Sequence, residues 1–337
     1  MNRTIYSVIT GTGSYIPERV VKNEEFLSNT FFDANGKPLD KDNQEVIQKF
    51  LEITTISERR YAADDQVTSD IVHLAAEKAI ESAGIDRETL DYVIVAHNYG
   101  DVLHGSNRVD MVPCLAARVK HKLGIKNPFT VAHDVPFGCP GWVQAMIQAN
   151  YFLRSGDAKR ILVAGGDILS RVSDPHDRDC MIFADGAAAV ILDAQESVEP
   201  VGMLAHKTRS DTFLYSKMLQ AGPSLNPAEY AETGNLYIRM NGRRLYMYAL
   251  ENVPTAIKAC LDAANLHLSD ISKVLIHQAN GKMDDAILER LYSLYGMEVP
   301  EGVMPMTISW LGNSSVATVP TLLDLLLRGQ LAPHEFN

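Results

Sequence analysis

Cys139 stands where an apolar, strand-like run, Phe129 to Asp134, gives way to a long amphipathic segment, Trp142 to Arg154. A thiol at such a junction is placed to act as a nucleophile, because the start of a helix carries partial positive charge that favours the thiolate. Pro140 suits the first helical position, where a missing N–H costs nothing. Gly138 and Gly141 let other backbone approach closely. The competing reading is a buried cysteine serving as a small apolar side chain. Two more polar residues occupy comparable junctions. His277 opens His277-Gln278-Ala279-Asn280 at the end of the apolar run Val274 to Ile276, and Asn313 lies in Gly312-Asn313-Ser314-Ser315 ahead of an apolar helix. Taken singly, His277 reads as a satisfied core histidine and Asn313 as a turn residue or cap. Together with Cys139 they form a set with one chemistry in view.

Alternating elements must position these groups. Strands are expected at Ile5–Thr10, Tyr92–Ala96, Phe129–Asp134, Ile161–Gly165, Ala187–Leu192, Val274–His277 and near Met306. Helices are expected at Asp70–Ala83, Trp142–Arg154, Val253–Ala264, Lys282–Tyr295 and Val319–Leu327. This is an α/β pattern, with most strands buried between helices. Asn29 to Asp42 reads as a surface insertion. An internal repeat underlies the pattern. Ala79-Ile-Glu-Ser-Ala-Gly84-Ile85 lies over Cys260-Leu-Asp-Ala-Ala-Asn265-Leu266, and without gaps Leu90 falls over Ile271 and Val93 to Val95 over Val274 to Ile276. Each copy reads as helix, short loop and buried strand, with Gly84 and Asn265 suited to a left-handed helix end. Polar groups, His97-Asn98 and His277-Gln278, collect at the equivalent strand ends. Two such halves, 1–196 carrying the cysteine and 197–337 carrying His277 and Asn313, would build a five-layer α-β-α-β-α sandwich.

The 337 residues are 46% hydrophobic with a formal net charge of -11, which suits a large core and argues against nucleic acid as a partner. No run is long enough to span a membrane, and the first residues are too briefly apolar for a secretory signal, so a cytoplasmic location is expected. Cys114, Cys139, Cys180 and Cys260 show neither CxxC pairing nor metal-ligand spacing, so free thiols and no metal are expected.

The chain resembles the thiolase-superfamily condensing enzymes, and within them the β-ketoacyl-[acyl-carrier-protein] synthase III group. The resemblance is carried by Asp134-Val-Pro-Phe-Gly-Cys139-Pro-Gly141, Phe183-Ala-Asp-Gly-Ala-Ala188, His277-Gln-Ala-Asn280, and Gly312-Asn-Ser-Ser315 with Pro320. Gly11-Thr-Gly-Ser-Tyr-Ile-Pro17 and Ile56-Ser-Glu-Arg-Arg60 fit as well, so it extends over nearly the whole chain. It implies the duplicated βαβαβαββ thiolase fold and a catalytic triad of Cys139, His277 and Asn313 for a decarboxylating Claisen condensation. An acyl-CoA or acyl carrier protein would prime Cys139, and malonyl-carrier protein would supply the nucleophilic carbon. CoA or phosphopantetheine thioesters then serve as substrates, with no bound cofactor, and a homodimer with contacts from Tyr99 to Arg118 is expected. Asparagine cannot act as a general base at neutral pH, so Asn313 favours oxyanion stabilisation over hydrolysis. Phe183 and Asp185-Gly186 are expected to shape the pocket and a tight turn.

The chain departs from the family in several places. Lys49 and Ile53 occupy positions where the family has an adenine-clamping tryptophan and arginine, which leaves the primer carrier open between CoA and carrier protein. Lys282 lies where the family has a basic residue near the tunnel mouth, and Arg239, Arg243 and Arg244 are candidates for a basic rim binding a phosphopantetheine arm or an acidic carrier protein; a solvated charge cluster is the alternative. Pro136, Pro140 and Trp142 are bulkier than the usual neighbours of the nucleophile and suggest a pocket tuned to an unusual acyl group. The family continues beyond a segment like Leu326 to Leu331 with two closing strands and a glycine-rich loop supplying a second oxyanion N–H, so a C-terminal tail is expected to be missing. Two other functions remain open: a same-fold acyltransferase that releases no carbon dioxide, and an inactive partner subunit of a condensing heterodimer.

Overall fold

The computed structural model describes residues 4–335; residues 1–3 and 336–337, the outer ends of the two expected halves, lie outside the described residues. Five strands form one mixed sheet: β1 (Thr4–Tyr15), β2 (Tyr92–His97), β3 (Val131–Pro136), β4 (Arg160–Ile168) and β5 (Asp185–Ser197). Their order is β1-β5-β4-β2-β3, with β2 parallel to both neighbours and β5 antiparallel to both of its own. Period-two alternation decides which side chains meet which helix. Val93 and Val95 face α2 (Thr68–Ala83) and α3 (Leu115–Lys122), whereas Ile94 and Ala96 face α4 (Gly141–Ser155). In α2, Ile71, Val72, Ala75, Ala76 and Ala79 are buried at helical spacing. Small residues let this helix approach β1 closely, since a Cβ on Gly13 would lie 2.5 Å from the Ala75 carbonyl oxygen.

The internal repeat holds to the level of helix caps. Helix α2 ends at Gly84 with φ 63°, and the helix Gly242–Ala264 ends at Asn265 with φ 54°. A short 3-10 turn follows each, at Arg87–Thr89 and Leu268–Asp270. Beyond that point the copies diverge. In the first, β2 is hydrogen-bonded on both sides. In the second, the expected strand Val274–His277 and its companion near Met306 run side by side without a ladder among the described residues. They are tied by one backbone bond, Val274 N to Val303 O at 2.9 Å, and by the Gln278 side chain, which donates to Pro305 O and accepts from Thr307 N. A buried strand needs neighbours to satisfy both edges, and a side-chain amide replaces only part of that pairing. The first three layers of the sandwich are therefore fully formed, and the second half contributes helices, an antiparallel strand pair at Leu219–Pro223 and Leu236–Met240, and extended chain at Val274–His277 that joins no ladder among the described residues. Asn29 to Asp42 is irregular as expected, its turn held by Asp33, which accepts from Asn35 N and Lys37 N.

Helices α1 (Asn43–Thr54), α5 (Gly242–Ala264), α6 (Gly281–Ser293) and α7 (Thr318–Leu327) complete the main framework. Leu250 of α5 packs on Met283 and Ile287 of α6. On its other side α6 presents Leu288, Leu291 and Tyr292 to a core shared with Val46, Ile47 and Phe50 of α1. Arg59 runs through this core with none of its surface exposed. Its guanidinium donates to Met181 O at 3.1 Å, Val21 O at 3.1 Å and Asn23 Oδ1 at 2.5 Å, and lies 5.0 Å from the Phe26 ring centroid. Burial pulls its pKa down. Removing the fork would strand three buried acceptors, so Arg59→Met is expected to cost roughly 3 kcal/mol; a urea-unfolding midpoint unchanged from wild type would refute this.

Candidate active site

The chain turns from β3 into α4 through Phe137 and Gly138, the latter at φ 83°, so that Cys139 emerges immediately before the helix, with Pro140 at its N-cap. Among the described residues, no other residue accepts the Cys139 backbone N–H, which lies against the cysteine's own sulfur at the helix start. Burial works against the thiolate expected at the helix start. Burial pushes the Cys139 pKa up and the charge of nearby Asp167 adds to this, against a lowering contribution from the Ser315 hydroxyl, which donates to Cys139 Sγ at 3.5 Å.

His277 and Cys139 line the same cavity, about 430 Å³ in volume. Its remaining wall is mostly apolar, with Trp142 and Val143 from α4, Ile257 and Leu261 from α5, and Val316. His277 Nδ1 lies 2.6 Å from Thr318 Oγ1, itself 3.0 Å from Ser315 O. Burial lowers the His277 pKa; the Asp284 carboxyl and the Ser315 backbone act in the opposite direction. Asp284 is unusual in its own right. It is fully buried on α6, held at most by weak contacts from the Asn280 and Ala279 N–H groups, and burial raises its pKa well above the ordinary carboxylate range.

Asn313 is fixed at both backbone and side chain. Its N–H donates to Ile182 O at 3.0 Å and its carbonyl accepts from Ala184 N at 2.9 Å, docking the second half onto the Phe183-Ala184-Asp185 turn. That turn is held by Asp185, whose carboxylate accepts from Ala62 N, Ser170 N and Ser170 Oγ. Phe183 is itself a buried core residue. The Asn313 side chain accepts the Ser315 N–H at 2.8 Å. Because a backbone N–H only donates, the atom facing it must be the amide oxygen, and Nδ2 is left as a donor with no acceptor among the described residues. Gly312 preceding it has φ 67°, and a Cβ there would come within 2.7 Å of Arg59 Cβ.

Three polar residues not singled out from the sequence belong to this site: Asn98, Asp167 and Ser315. Asn98 extends the polar strand end that the repeat had marked, and Ser315 lies inside the Gly-Asn-Ser-Ser motif, so both carried a signal. Asp167, inside a buried strand, carried none. The expected basic rim is dispersed. Arg239 points inward to Asp174 and Asp177, at 3.4 and 3.5 Å, and Arg244 packs over the Tyr215 ring and donates to Leu214 O. Lys282 and Arg243 are exposed, with no ion pair among the described residues. None of Lys282, Arg243 and Arg244 lines the cavity that holds Cys139 and His277.

Residues 133–212 match the family model for 3-oxoacyl-[acyl-carrier-protein] synthase III, and residues 261–335 match the model for its C-terminal part. The β-ketoacyl-[acyl-carrier-protein] synthase III of Xanthomonas oryzae pv. oryzae is 33% identical over 330 residues, covering 97% of this chain and 91% of the relative. That of Erythrobacter litoralis is 32% identical over 334 residues, covering 98% and 94%. Among solved structures, 3-oxoacyl-(acyl carrier protein) synthase III from Pseudomonas aeruginosa matches with a TM-score of 0.77 at 27% identity, covering 97% of this chain and 91% of that one. The priming β-ketosynthase of the R1128 polyketide pathway matches with a TM-score of 0.76 at 26% identity, covering 97% and 89%. A relative one-third identical along nearly the whole length, joined by both family matches, shows that the chain belongs to the 3-oxoacyl-[acyl-carrier-protein] synthase III family, acyl-transferring condensing enzymes of the thiolase fold.

Proposed function

We propose that this chain condenses an acyl group held on Cys139 with a malonyl thioester, releasing carbon dioxide and a β-ketoacyl thioester. The Cys139 thiolate attacks the acyl thioester carbonyl, and the displaced thiolate leaves and takes up a proton. The Cys139 N–H is one donor to the oxyanion of that step. Malonyl thioester then loses carbon dioxide, its thioester oxygen becomes an enolate oxygen, and Asn313 Nδ2 and His277 Nε2 donate to it. The enolate carbon attacks the acyl carbonyl and Cys139 departs as thiolate. The observation that carries this reading is the Asn313 amide: with its oxygen held by Ser315 N, only its donor end is left for chemistry, which suits an enolate and not a hydrolytic base.

His277 fits the same role as a neutral imidazole, since burial lowers its pKa. The Thr318 hydroxyl has one proton to give. When that proton points to Nδ1, the ring proton sits on Nε2 and can reach the enolate oxygen; when it points to Ser315 O, Nδ1 holds the ring proton instead. The reading uses the first arrangement. Acyl-CoA or acyl carrier protein as primer, malonyl-carrier protein as second substrate and the carrier protein as partner belong to the proposal, supported by the printed names of the relatives. Lys282 and Arg243 suit an acidic carrier surface because they are exposed and unpaired among the described residues. The division into halves 1–196 and 197–337, with β5 ending at Ser197, and a cytoplasmic setting, in keeping with four free cysteines, are also part of the proposal.

A homodimer is also part of the proposal. Strand β3 is an edge of the sheet, and Phe129, Val131 and Phe137 at and beside it are 85%, 49% and 52% exposed. Such an edge pairs with a second copy unless it is blocked.

Intact-mass measurement after incubation with acyl-CoA and acyl-carrier thioesters should give an adduct on wild type and none on Cys139→Ala; an adduct that persists in the variant would assign the nucleophile elsewhere. His277→Ala and Asn313→Ala should keep the adduct and slow carbon dioxide release from malonyl-carrier protein by on the order of 10²–10³-fold each. Thr318→Val should leave acylation near wild type and slow decarboxylation roughly tenfold, whereas equal losses in both half-reactions would contradict its assigned part. Sedimentation velocity should find wild type dimeric and Val131→Lys shifted towards monomer, and a monomeric wild type at micromolar concentration would rule the dimer out.

A further inference from the structure

Asn98 follows the last residue of β2 and points both of its N–H groups at Asp167: the backbone N–H donates to Oδ1 at 2.8 Å and Nδ2 donates to Oδ2 at 2.6 Å. A carboxylate accepts only, so this pair fixes which end of the amide is nitrogen. The second hydrogen on Nδ2 donates to Ser315 Oγ at 2.5 Å. With one of its lone pairs occupied in this way, the Ser315 hydroxyl has one proton and two acceptors, the Asp167 carboxylate and Cys139 Sγ at 3.5 Å, and a charged sulfur draws the proton to itself. Asp167 and Ser315 are 0% and 1% exposed, so water does not compete for these bonds.

The backbone at Ser315 is also bent to the purpose. Its φ of 55° lies in the left-handed region, where a side chain costs about 1–2 kcal/mol relative to ordinary helix geometry. The Asn313 side chain, accepting Ser315 N–H, holds it there. A non-glycine residue kept in this conformation beside a reactive group marks a position over-determined by its surroundings.

We propose that Asn98 and Ser315 form a directed donor chain that stabilises the Cys139 thiolate, with Asp167 as the positioning residue that orients Asn98. The chain answers a need particular to this site. Cys139 is half-buried at the cavity wall, and both burial and the Asp167 charge push its pKa up, against the Ser315 hydroxyl and the cysteine's own backbone N–H. Asp167 itself is pushed up to about 6 by burial, against the bonds from Asn98 and a weaker one from the Ser315 hydroxyl, so near neutral pH it is ionised and holds the amide. The titratable groups facing the thiol are Asp167 from β4, His277 from the segment ahead of α6, and, one residue before Asn98, His97, which pairs with Asp134 Oδ2 at 2.9 Å. The nearby α4 side chains, Trp142 and Val143, are uncharged.

The inference rests on Cys139 as the nucleophile, and its test is independent of any acyl substrate. Alkylation of wild type and variants by iodoacetamide is followed across pH, with the Cys139 peptide quantified by mass spectrometry so that Cys114, Cys180 and Cys260 do not contribute. Ser315→Ala and Asn98→Ala should each raise the apparent pKa of Cys139 by about one unit, a roughly tenfold loss of thiolate at lower pH. The loss should vanish above the thiol pKa of both proteins, where wild type and variant are equally ionised. The double variant should fall little further than either single one, because both break the same chain. Asn98→Ser provides a milder substitution should Asn98→Ala fold poorly, and should shift the pKa in the same direction. Profiles that coincide with wild type, or a loss that is the same at every pH, would overturn the donor chain. A wild type with an intact, shifted thiol profile but no acyl adduct would overturn the condensing reading and leave the chain standing.

Discussion

The site depends on how one loop of the second half is clasped to the first. Asn313 exchanges backbone hydrogen bonds with Ile182 and Ala184, and that clasp sets the position of everything between Gly312 and Thr318. Arg59 supports it from below: it binds Met181 O, next to the clasp, and its Cβ occupies the space beside Gly312 that any other residue's Cβ would need. Asn313, Ser315 and Thr318 lie within six residues of chain, and each holds a different polar group in place. A shift of this loop would move the free amide of Asn313, the hydroxyl facing Cys139 and the partner of His277 together. Such a site stands or falls as a unit, and single substitutions within it should be strongly non-additive.

Burial sets opposing demands on this chemistry. A mostly apolar cavity strengthens hydrogen bonds to a developing enolate and favours a neutral His277, both useful for decarboxylation. The same burial makes the thiol of Cys139 harder to ionise. The polar groups divide accordingly. Asp167, Asn98 and Ser315 gather on the side of the sulfur, and Thr318 and the Asp284 carboxyl on the side of the imidazole. Each reacting group thus has its own neighbours, and the two half-reactions can be tuned separately.

Much of the architecture was legible because it rests on periodicity and on caps. The alternation of Val93 to Ala96 between two helical layers, and the left-handed ends at Gly84 and Asn265, follow from residue type and spacing. Cys139, His277 and Asn313 were legible because unusual residues stood at element junctions. What escaped depends on partners distant in sequence. The apolar run Val274 to Ile276 has the composition of a buried strand, yet a strand needs a neighbour bonded along its length and this run has a single backbone bond, to Val303. Asp167 looks like any polar residue ending a strand until Asn98 is folded against it. The helix-start argument for a thiolate at Cys139 used a local effect, and burial, a tertiary one, acts against it.

The repeat gives these contacts a common geometry. The offset that lays Val93 over Val274 also lays Ala96 over His277 and His97 over Gln278, so the two strand ends occupy equivalent places in the two halves. Each end reaches the same short stretch of chain, Asn98 bonding Ser315 and His277 bonding Thr318. Ser315 and Thr318 are three residues apart across the start of α7, close to one helical turn, so they present hydroxyls on neighbouring faces. The Thr318 hydroxyl oxygen also lies 3.0 Å from the Ser315 carbonyl oxygen. One turn of chain is therefore held from both sides by pseudo-equivalent elements, which accounts for how a residue in the strained left-handed region can be kept there without a glycine.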